Sequence, residues 1–228
     1  MKPNINLAII PARGGSKGIK KKNLSKLGKK TLIEIAVNEI LKSKIYDKIV
    51  LSSDSDEILD HAKSLGIEYI RRPKKISQDY SLSEDAVLHA LKFYSKKFNI
   101  KDFGLFQPTS PFRESKHIKA AYESFVKMQN ETLISVEKLD KKYLKLMYKI
   151  DDEVIPLSKE MPFMPRQKLP KAYLPNGAIY LSQMKYFLDK HSFFSKKMGI
   201  FEMSSESSLD IDSLQDLNKA QRMLKNTK

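Results

Sequence analysis

Near the start of the chain a short apolar run, Leu7-Ala8-Ile9-Ile10, breaks at Pro11 into Ala12-Arg13-Gly14-Gly15-Ser16-Lys17-Gly18-Ile19-Lys20-Lys21-Lys22-Asn23-Leu24. An apolar run bounded by turn formers reads as a buried strand. The three glycines after it let the backbone approach a ligand closely and adopt φ > 0, so that successive N–H groups can face one anion. Arg13, Lys17 and Lys22 add full charges to those dipoles. A strand feeding such a loop has the shape of a polyphosphate cradle. The spacing is neither Gly-x-x-x-x-Gly-Lys-Ser/Thr nor Gly-x-Gly-x-x-Gly, which argues against an ordinary P-loop and against a dinucleotide fingerprint. Taken alone the segment is also compatible with a solvated lysine-rich turn, so the rest of the chain has to decide.

The length of 228 residues suits one domain, residues 1–228, with an arm embedded in it. The net charge is +15, and the basic residues are mostly lysines scattered in pairs such as Lys29-Lys30, Lys74-Lys75 and Lys141-Lys142. Scatter argues for a basic surface that attracts small anionic substrates and against a nucleic-acid footprint, for which no helix-turn-helix, zinc or ribonucleoprotein signature is present. With no cysteine, disulfides, thiol catalysis and thiolate metal sites are excluded. The apolar run at the start is too short for a signal peptide or a membrane span, so a cytoplasmic enzyme without membrane association is expected.

Strand-like and helix-like segments then alternate. Thr31 to Ser43 reads as a helix capped by Thr31, and Lys48 to Ser53 as a strand. Asp54-Ser55-Asp56 opens a helix that ends near Leu65 with Gly66 as its cap, and Ile67 to Ile70 is a strand. Helices are expected over Ser83–Lys97 and Ser115–Met128, strands over Phe103–Gln107, Thr132–Val136 and Gly177–Leu181, and a last helix from Ser213 to about Leu224. This rhythm predicts an α/β, Rossmann-like fold: a mainly parallel sheet with helices on both faces. Ligands bind at the carboxyl ends of such strands. The unusual loops, residues 12–24, 52–56, 71–82 and 107–114, all follow strands.

Between residues 138 and 175 the rhythm fails. A hairpin around Asp151-Asp152 is expected, followed by a stretch holding Pro156, Pro162, Pro165, Pro170 and Pro175, half of the ten prolines. It reads as an inserted arm for dimer contact and substrate closure, or as a passive ordered loop. Farther on, alternation in Ser208-Leu209-Asp210-Ile211-Asp212-Ser213 puts Asp210 and Asp212 on one side and Leu209 and Ile211 in the core. Two such carboxylates suit one hard cation, and Mg²⁺ typically takes one or two carboxylates plus phosphate oxygens. Alternatively, the Ser213-Leu214-Gln215-Asp216 start makes Asp212 a cap for the helix that follows. Asp54 and Asp56 read as helix caps, Thr109 and Ser110 as turn residues between two prolines, and the four histidines, 61, 89, 117 and 191, as structural or surface groups.

Taken together these motifs resemble the CMP-sialic acid synthetases, the N-acylneuraminate cytidylyltransferases. The resemblance rests on Ala12 to Gly18 with Lys22-Asn23, on Leu51-Ser52-Ser53-Asp54, and on Arg72-Pro73 with Asp79 to Ser83. It continues through Gln107-Pro108-Thr109-Ser110-Pro111-Phe112-Arg113, Pro165-Arg166-Gln167, Pro175 to Tyr180 and Asp210-Ile211-Asp212, in order along nearly the whole chain. It implies a nucleotidyltransferase acting on CTP and a nine-carbon α-keto acid sugar, whose anomeric hydroxyl attacks the α-phosphate directly and releases pyrophosphate. Arg13, Gly14, Gly15, Ser16, Lys17 and Lys22 would hold the triphosphate, Asn23 would seat the nucleotide, and Arg72 and Ser83 would face the cytosine side. Asp210 and Asp212 would carry Mg²⁺. Gln107, Lys145 and Arg166 would face the sugar acid, and the molecule would be a homodimer. Among these, Arg13, Lys22 and Asp212 would carry the chemistry.

The pattern departs at one place. Family members that act on sialic acid carry Arg immediately before Pro-Asn-Gly, and here that residue is Leu174. A lost charge-assisted bond is worth about 1.5–3 kcal/mol, so legionaminic and pseudaminic acids stand beside N-acetylneuraminic acid as substrates. A cytidylyltransferase for another acid sugar such as Kdo, and a non-catalytic nucleotide-binding homologue, are the alternative readings.

Overall fold

The computed structural model describes residues 1–16 and 18–226. Lys17, expected in the phosphate loop, lies outside the described residues. In chain order the elements are β1 (Asn4–Pro11), the two-residue strands β2 (Lys26–Leu27) and β3 (Lys30–Thr31), α1 (Leu32–Ser43), β4 (Lys48–Ser53), α2 (Asp56–Ser64), β5 (Glu68–Arg71), α3 (Ser83–Tyr94) and β6 (Asn99–Leu105). They continue with α4 (Ser115–Lys127), β7 (Thr132–Leu139), β8 (Met147–Ile150), β9 (Glu153–Pro156), β10 (Ala172–Gln183), α5 (Met184–Lys190), β11 (Met198–Met203) and α6 (Leu214–Asn226).

Seven strands form one sheet in the order β11-β7-β10-β6-β1-β4-β5. β1 pairs in parallel with both β4 and β6, β4 with β5, and β7 with β11, while β10 runs antiparallel between β6 and β7. The expected mainly parallel sheet is therefore present. The reversal at β10 carries no local signal, since strand direction depends on the whole sheet, and Pro175 hides the strand's first half. The register with β7 shifts between Pro175 and Tyr180.

Both faces of β1 are buried, which is why it reads as a continuous apolar run. Ile5, Leu7 and Ile9 pack with Val87, Leu91 and Tyr94 of α3 and Phe187 of α5 on one face. Ala8 and Ile10 pack with α1, α2 and α4 on the other, through side chains such as Val37, Ile58 and Phe125. A third cluster joins Ile19, Leu27, Leu32, Ile211 and Ala220 beside this second layer. Helices thus cover both faces of the sheet, as the sequence rhythm predicts.

Local expectations hold where the signals are local. Thr31 caps α1 in a full capping box: its hydroxyl accepts from the Glu34 amide, and the Glu34 carboxylate takes the Thr31 N–H. Two helices are shorter than the expected bounds. α3 stops at Tyr94, and α2 starts at Asp56 after Ser55, so neither Asp54 nor Asp56 is its N-cap residue. The short α5, the edge strand β11 and the β2–β3 pair were not foreseen. β11 is only partly buried, and its alternation is correspondingly weak.

Residues 138–175 hold a 3-10 turn at Lys141–Lys145, the β8–β9 hairpin turning at Asp151, and two further 3-10 turns at Met161–Phe163 and Arg166–Lys168. Tyr148, Ile150, Val154 and Phe163 in this segment are exposed. Among the described residues no helix is long and apolar enough to cross a membrane.

The Thr31 box also receives His61, whose Nε2 lies 2.9 Å from the Thr31 hydroxyl. Thr31→Ala is expected to cost about 1 kcal/mol and to lower Tm by about 2–4 °C in thermal unfolding followed by circular dichroism.

Candidate active site

The loops after β1, β4, β5 and β6 meet beyond the carboxyl ends of the strands, beside the point where the sheet order reverses at β1. The loops after β1, β5 and β6, with the segment around Asp210, enclose a polar cleft of about 350 Å³ whose lining includes Arg13, Lys22, Asn23, Arg72, Gln107 and Asp210, while the β4 loop supports it from behind through Asp54.

The β1 loop is held by its own backbone needs. The Gly14 N–H donates to Asp54 Oδ1 at 2.9 Å, and Asn23 Nδ2 donates to the Arg13 carbonyl at 3.0 Å. Asp54 thus serves the loop, where the sequence suggested a helix cap. Gly15 and Ser16 line the cleft beside Arg13. Farther along, the backbone turns through Lys21, at φ 55°, into the 3-10 turn Lys22–Leu24 that carries Lys22 and Asn23.

Gly18 is glycine for a reason of space: a Cβ there would lie 2.2 Å from the Asp212 carbonyl oxygen. The loop and the Asp210–Asp212 segment therefore touch main chain to main chain.

Ile211 is fully buried, and its N–H donates to the Thr109 carbonyl at 2.9 Å. Asp210 and Asp212 both reach the cleft, as alternation requires. The capping alternative for Asp212 fails because the neighbouring residues take that task. The Asp216 carboxylate accepts from the amides of Asp212 and Ser213, and the Ser213 hydroxyl faces the Asp216 N–H. Asp212 Oδ1 instead receives Lys22 Nζ at 2.8 Å. Asp210 is more deeply placed. Burial pushes its carboxyl above the usual range, a hydrogen bond from Thr109 opposes the shift, and the Asp212 charge adds to it. Its Oδ1 is buried with no hydrogen-bond partner.

A buried unpartnered carboxylate oxygen beside a second, exposed carboxylate is a donor set that fits a hard divalent cation. No group of three or more potential metal-ligating side chains occurs among the described residues. Two carboxylates are nevertheless what Mg²⁺ needs when phosphate oxygens complete its shell.

Across the cleft Arg72 is 6% exposed, and its Nε and Nη2 have no partner. Burial, and secondarily Arg13, weakens its hold on the proton, while Asp54 strengthens it. An unsatisfied buried guanidinium facing a cleft is suited to an anionic or carbonyl ligand. Ser83 opens α3 at the same wall, next to Ser81 and Leu82.

The structure therefore gathers Arg13, Gly15, Ser16, Lys22, Asn23, Arg72, Ser83, Gln107, Asp210 and Asp212 around one cleft, with Gly14 in the adjoining backbone. It does not bring Lys145 or Arg166 there. Lys145 ends a 3-10 turn of the 138–175 segment, and Arg166 pairs with Asp140 at 2.8 Å. Two contributors escaped sequence reasoning. Asp79 pairs with Arg13 at 2.6 Å, and Arg113 sits buried behind Gln107. Both belong to recognisable motifs, but their roles depend on what the folded chain sets opposite them.

Comparison with known proteins gives the family and the fold. A family model described as cytidylyltransferase matches residues 7–227. The chain is 33% identical over 223 residues to a pseudaminic acid cytidylyltransferase of Campylobacter jejuni, covering 96% of both chains. It is 32% identical over 217 residues to an N-acylneuraminate cytidylyltransferase of Escherichia coli, covering 94% of this chain and 51% of the relative, so it spans about half of that protein's length. Among solved structures it is similar to a CMP:2-keto-3-deoxy-manno-octonic acid synthetase complexed with CTP. There the TM-score is 0.75 at 12% identity, covering 98% of this chain and 99% of the other, a likeness of fold.

Gly18→Ala is expected to force the β1 loop away from Asp212 and to weaken binding of a polyphosphate ligand by about tenfold or more, since the collision is with backbone. Isothermal titration with the triphosphate reads this directly, and unchanged affinity would remove the loop–aspartate contact from the site.

Proposed function

The chain belongs to the cytidylyltransferase family, and from that premise we propose that it transfers CMP from CTP to the anomeric hydroxyl of a nine-carbon α-keto acid sugar. The observation that carries the proposal is the opposition, in one cleft, of the Arg13, Lys22 and Arg72 cations to the Asp210–Asp212 pair. The anomeric oxygen forms a bond to the α-phosphorus, the bond from that phosphorus to the bridging oxygen breaks, pyrophosphate leaves, and the hydroxyl proton passes to solvent water. No covalent nucleophile is needed. Ser110, the nearest candidate in the motifs, is buried in a turn with its N–H directed to the Gln107 carbonyl.

Catalysis of this kind is positioning plus charge neutralisation. Arg13 and Lys22 grip the triphosphate after exchanging Asp79 and Asp212 for phosphate oxygens. Asn23 holds the loop through the Arg13 carbonyl, and Arg72 with Ser83 faces the base. Asp210 and Asp212 would hold Mg²⁺, which when bound supplies positive charge against the phosphate oxygens. Gln107 faces the sugar acid.

The sugar is a sialic acid or a close relative. Leu174, half exposed opposite Glu137 on β7, stands where sialic-acid members carry arginine, which favours the related nine-carbon acids. Lys145 and Arg166 lie on the 138–175 arm outside this cleft and are not part of its acid pocket, while the exposed apolar residues of that arm support a homodimer formed through it.

The deciding assay is pyrophosphate release with CTP and Mg²⁺ over N-acetylneuraminic, pseudaminic, legionaminic and Kdo acids, with ATP, GTP and UTP as controls. Turnover with CTP and a single nine-carbon acid is expected, and absence of CTP binding overturns the reading. Asp212→Ala is expected to lower kcat by about 10²–10³-fold with the fold intact. Arg13→Ala is expected to raise the KM for CTP by roughly 10- to 150-fold, the equivalent of one charge-assisted bond of about 1.5–3 kcal/mol. Light scattering is expected to give the mass of a dimer, and a monomer refutes the role given to the arm.

A further inference from the structure

Arg113 is 1% exposed and is the largest side chain buried to that degree among the described residues. A buried cation without a carboxylate partner is costly. Among the described residues no ion pair joins it to an acid. Glu39, which acts on it electrostatically, is already engaged by Lys42 and by the Ser115 amide. Burial depresses its pKa to about 10. An opposite charge therefore does not account for its place, and its planar donors have to.

Its contacts indicate that purpose. Nη1 donates to the Gln107 carbonyl at 3.0 Å, in the loop just past the end of β6, and to the Ala178 carbonyl at 2.8 Å, on β10. The guanidinium carbon lies 5.3 Å from the centre of the Phe106 ring, which fixes the group from the side. The Gln107 side chain meets Gly177 next to Ala178. Gly177 has φ +74°, and a Cβ there would lie 2.6 Å from Gln107 Oε1. One neighbour therefore ties the Gln107 backbone to β10, while the next leaves room for its amide.

The β10 turn is itself braced. Asn176 Oδ1 accepts from Ser135 Oγ at 2.6 Å, and its Nδ2 donates to Ser208 Oγ at 2.9 Å, just before Asp210. The Thr109 carbonyl closes the circuit by accepting the Ile211 N–H.

We propose that Arg113 is a positioning residue for the acid-sugar side of the cleft, setting the place of the Gln107 amide by pinning the end of β6 to β10. This rests on the reading of Gln107 as a sugar-facing group. Arg113 touches no substrate and acts through Gln107.

Arg113→Lys keeps the charge without the planar fork, and Arg113→Met removes both. The lysine variant carries the test should the methionine variant fail to fold. The first measurement is the Gln107 side-chain amide resonance in ¹⁵N-labelled protein, assigned by its loss in Gln107→Asn. It is expected to shift in Arg113→Lys while the backbone resonances of Gly15 and Asn23 stay in place, and an unmoved Gln107 resonance overturns the proposal.

The second measurement is steady-state kinetics. The KM for the acid sugar is expected to rise about 10- to 100-fold, with the KM for CTP changed by less than about twofold. In a Gln107→Ala background the same substitution is expected to add less than about twofold, because its path of action is already gone. Equal losses in both backgrounds, or parallel changes in both KM values, mean a general structural role and overturn the proposal. If the wild-type protein releases no pyrophosphate with any acid, the functional reading fails by itself, and the resonance still decides whether Arg113 positions Gln107.

Discussion

Burial of Ile211 is the contact on which the cleft depends. This residue enters a small cluster with Ile19, Leu27, Leu32 and Ala220, and so joins the β1 loop, the first helix and the last helix in one apolar contact. Filling that place with Ile211 turns the residues on either side the other way, which is what directs Asp210 and Asp212 to the cleft. The same closure brings the Asp212 carbonyl so near Gly18 that no side chain fits between them. A hydrophobic contact, indifferent to direction, is converted by the alternation of side chains on either side of Ile211 into a directed pair of carboxylates.

Electrostatics then sorts the cations of the site into two groups. Arg13 and Lys22 are held by carboxylates, Asp79 and Asp212, across distances of 2.6 and 2.8 Å. These contacts are partly exposed, so they are weak and exchangeable, and a phosphate can replace the protein acid at little cost. Arg72 and Arg113 are buried and lack such partners among the described residues. Arg113 is placed instead by its hydrogen bonds to the Gln107 and Ala178 carbonyls, and Arg72 by its burial at the cleft wall. A net charge of +15 adds a long-range attraction for anions that none of these contacts has to supply.

The parts of the fold that could be read in advance were those written in short-range pattern. The apolar run of β1, the capping box at Thr31, the hairpin at Asp151 and the alternation around Ile211 each depend on neighbours within a few residues. The reading of Asp54 as a cap failed because its partner, the Gly14 amide, lies forty positions earlier and on another strand's loop. β10 was recognised only in its middle, since Pro175 conceals the first half and its antiparallel direction is a property of the whole sheet. Arg113 stood in a recognised motif, yet nothing near it in the chain indicates that it is buried.

The amino-acid sequence by itself determined the alternation of strands and helices, the glycine-rich cationic loop and the side on which two aspartates emerge, because backbone period and glycine's conformational freedom act locally. Tertiary structure alone decided which charges face one another, where β10 runs, and that Lys145 and Arg166 lie outside the cleft that holds Gln107. Those outcomes follow from the order of seven strands in the sheet, which sets distances between segments up to 190 residues apart.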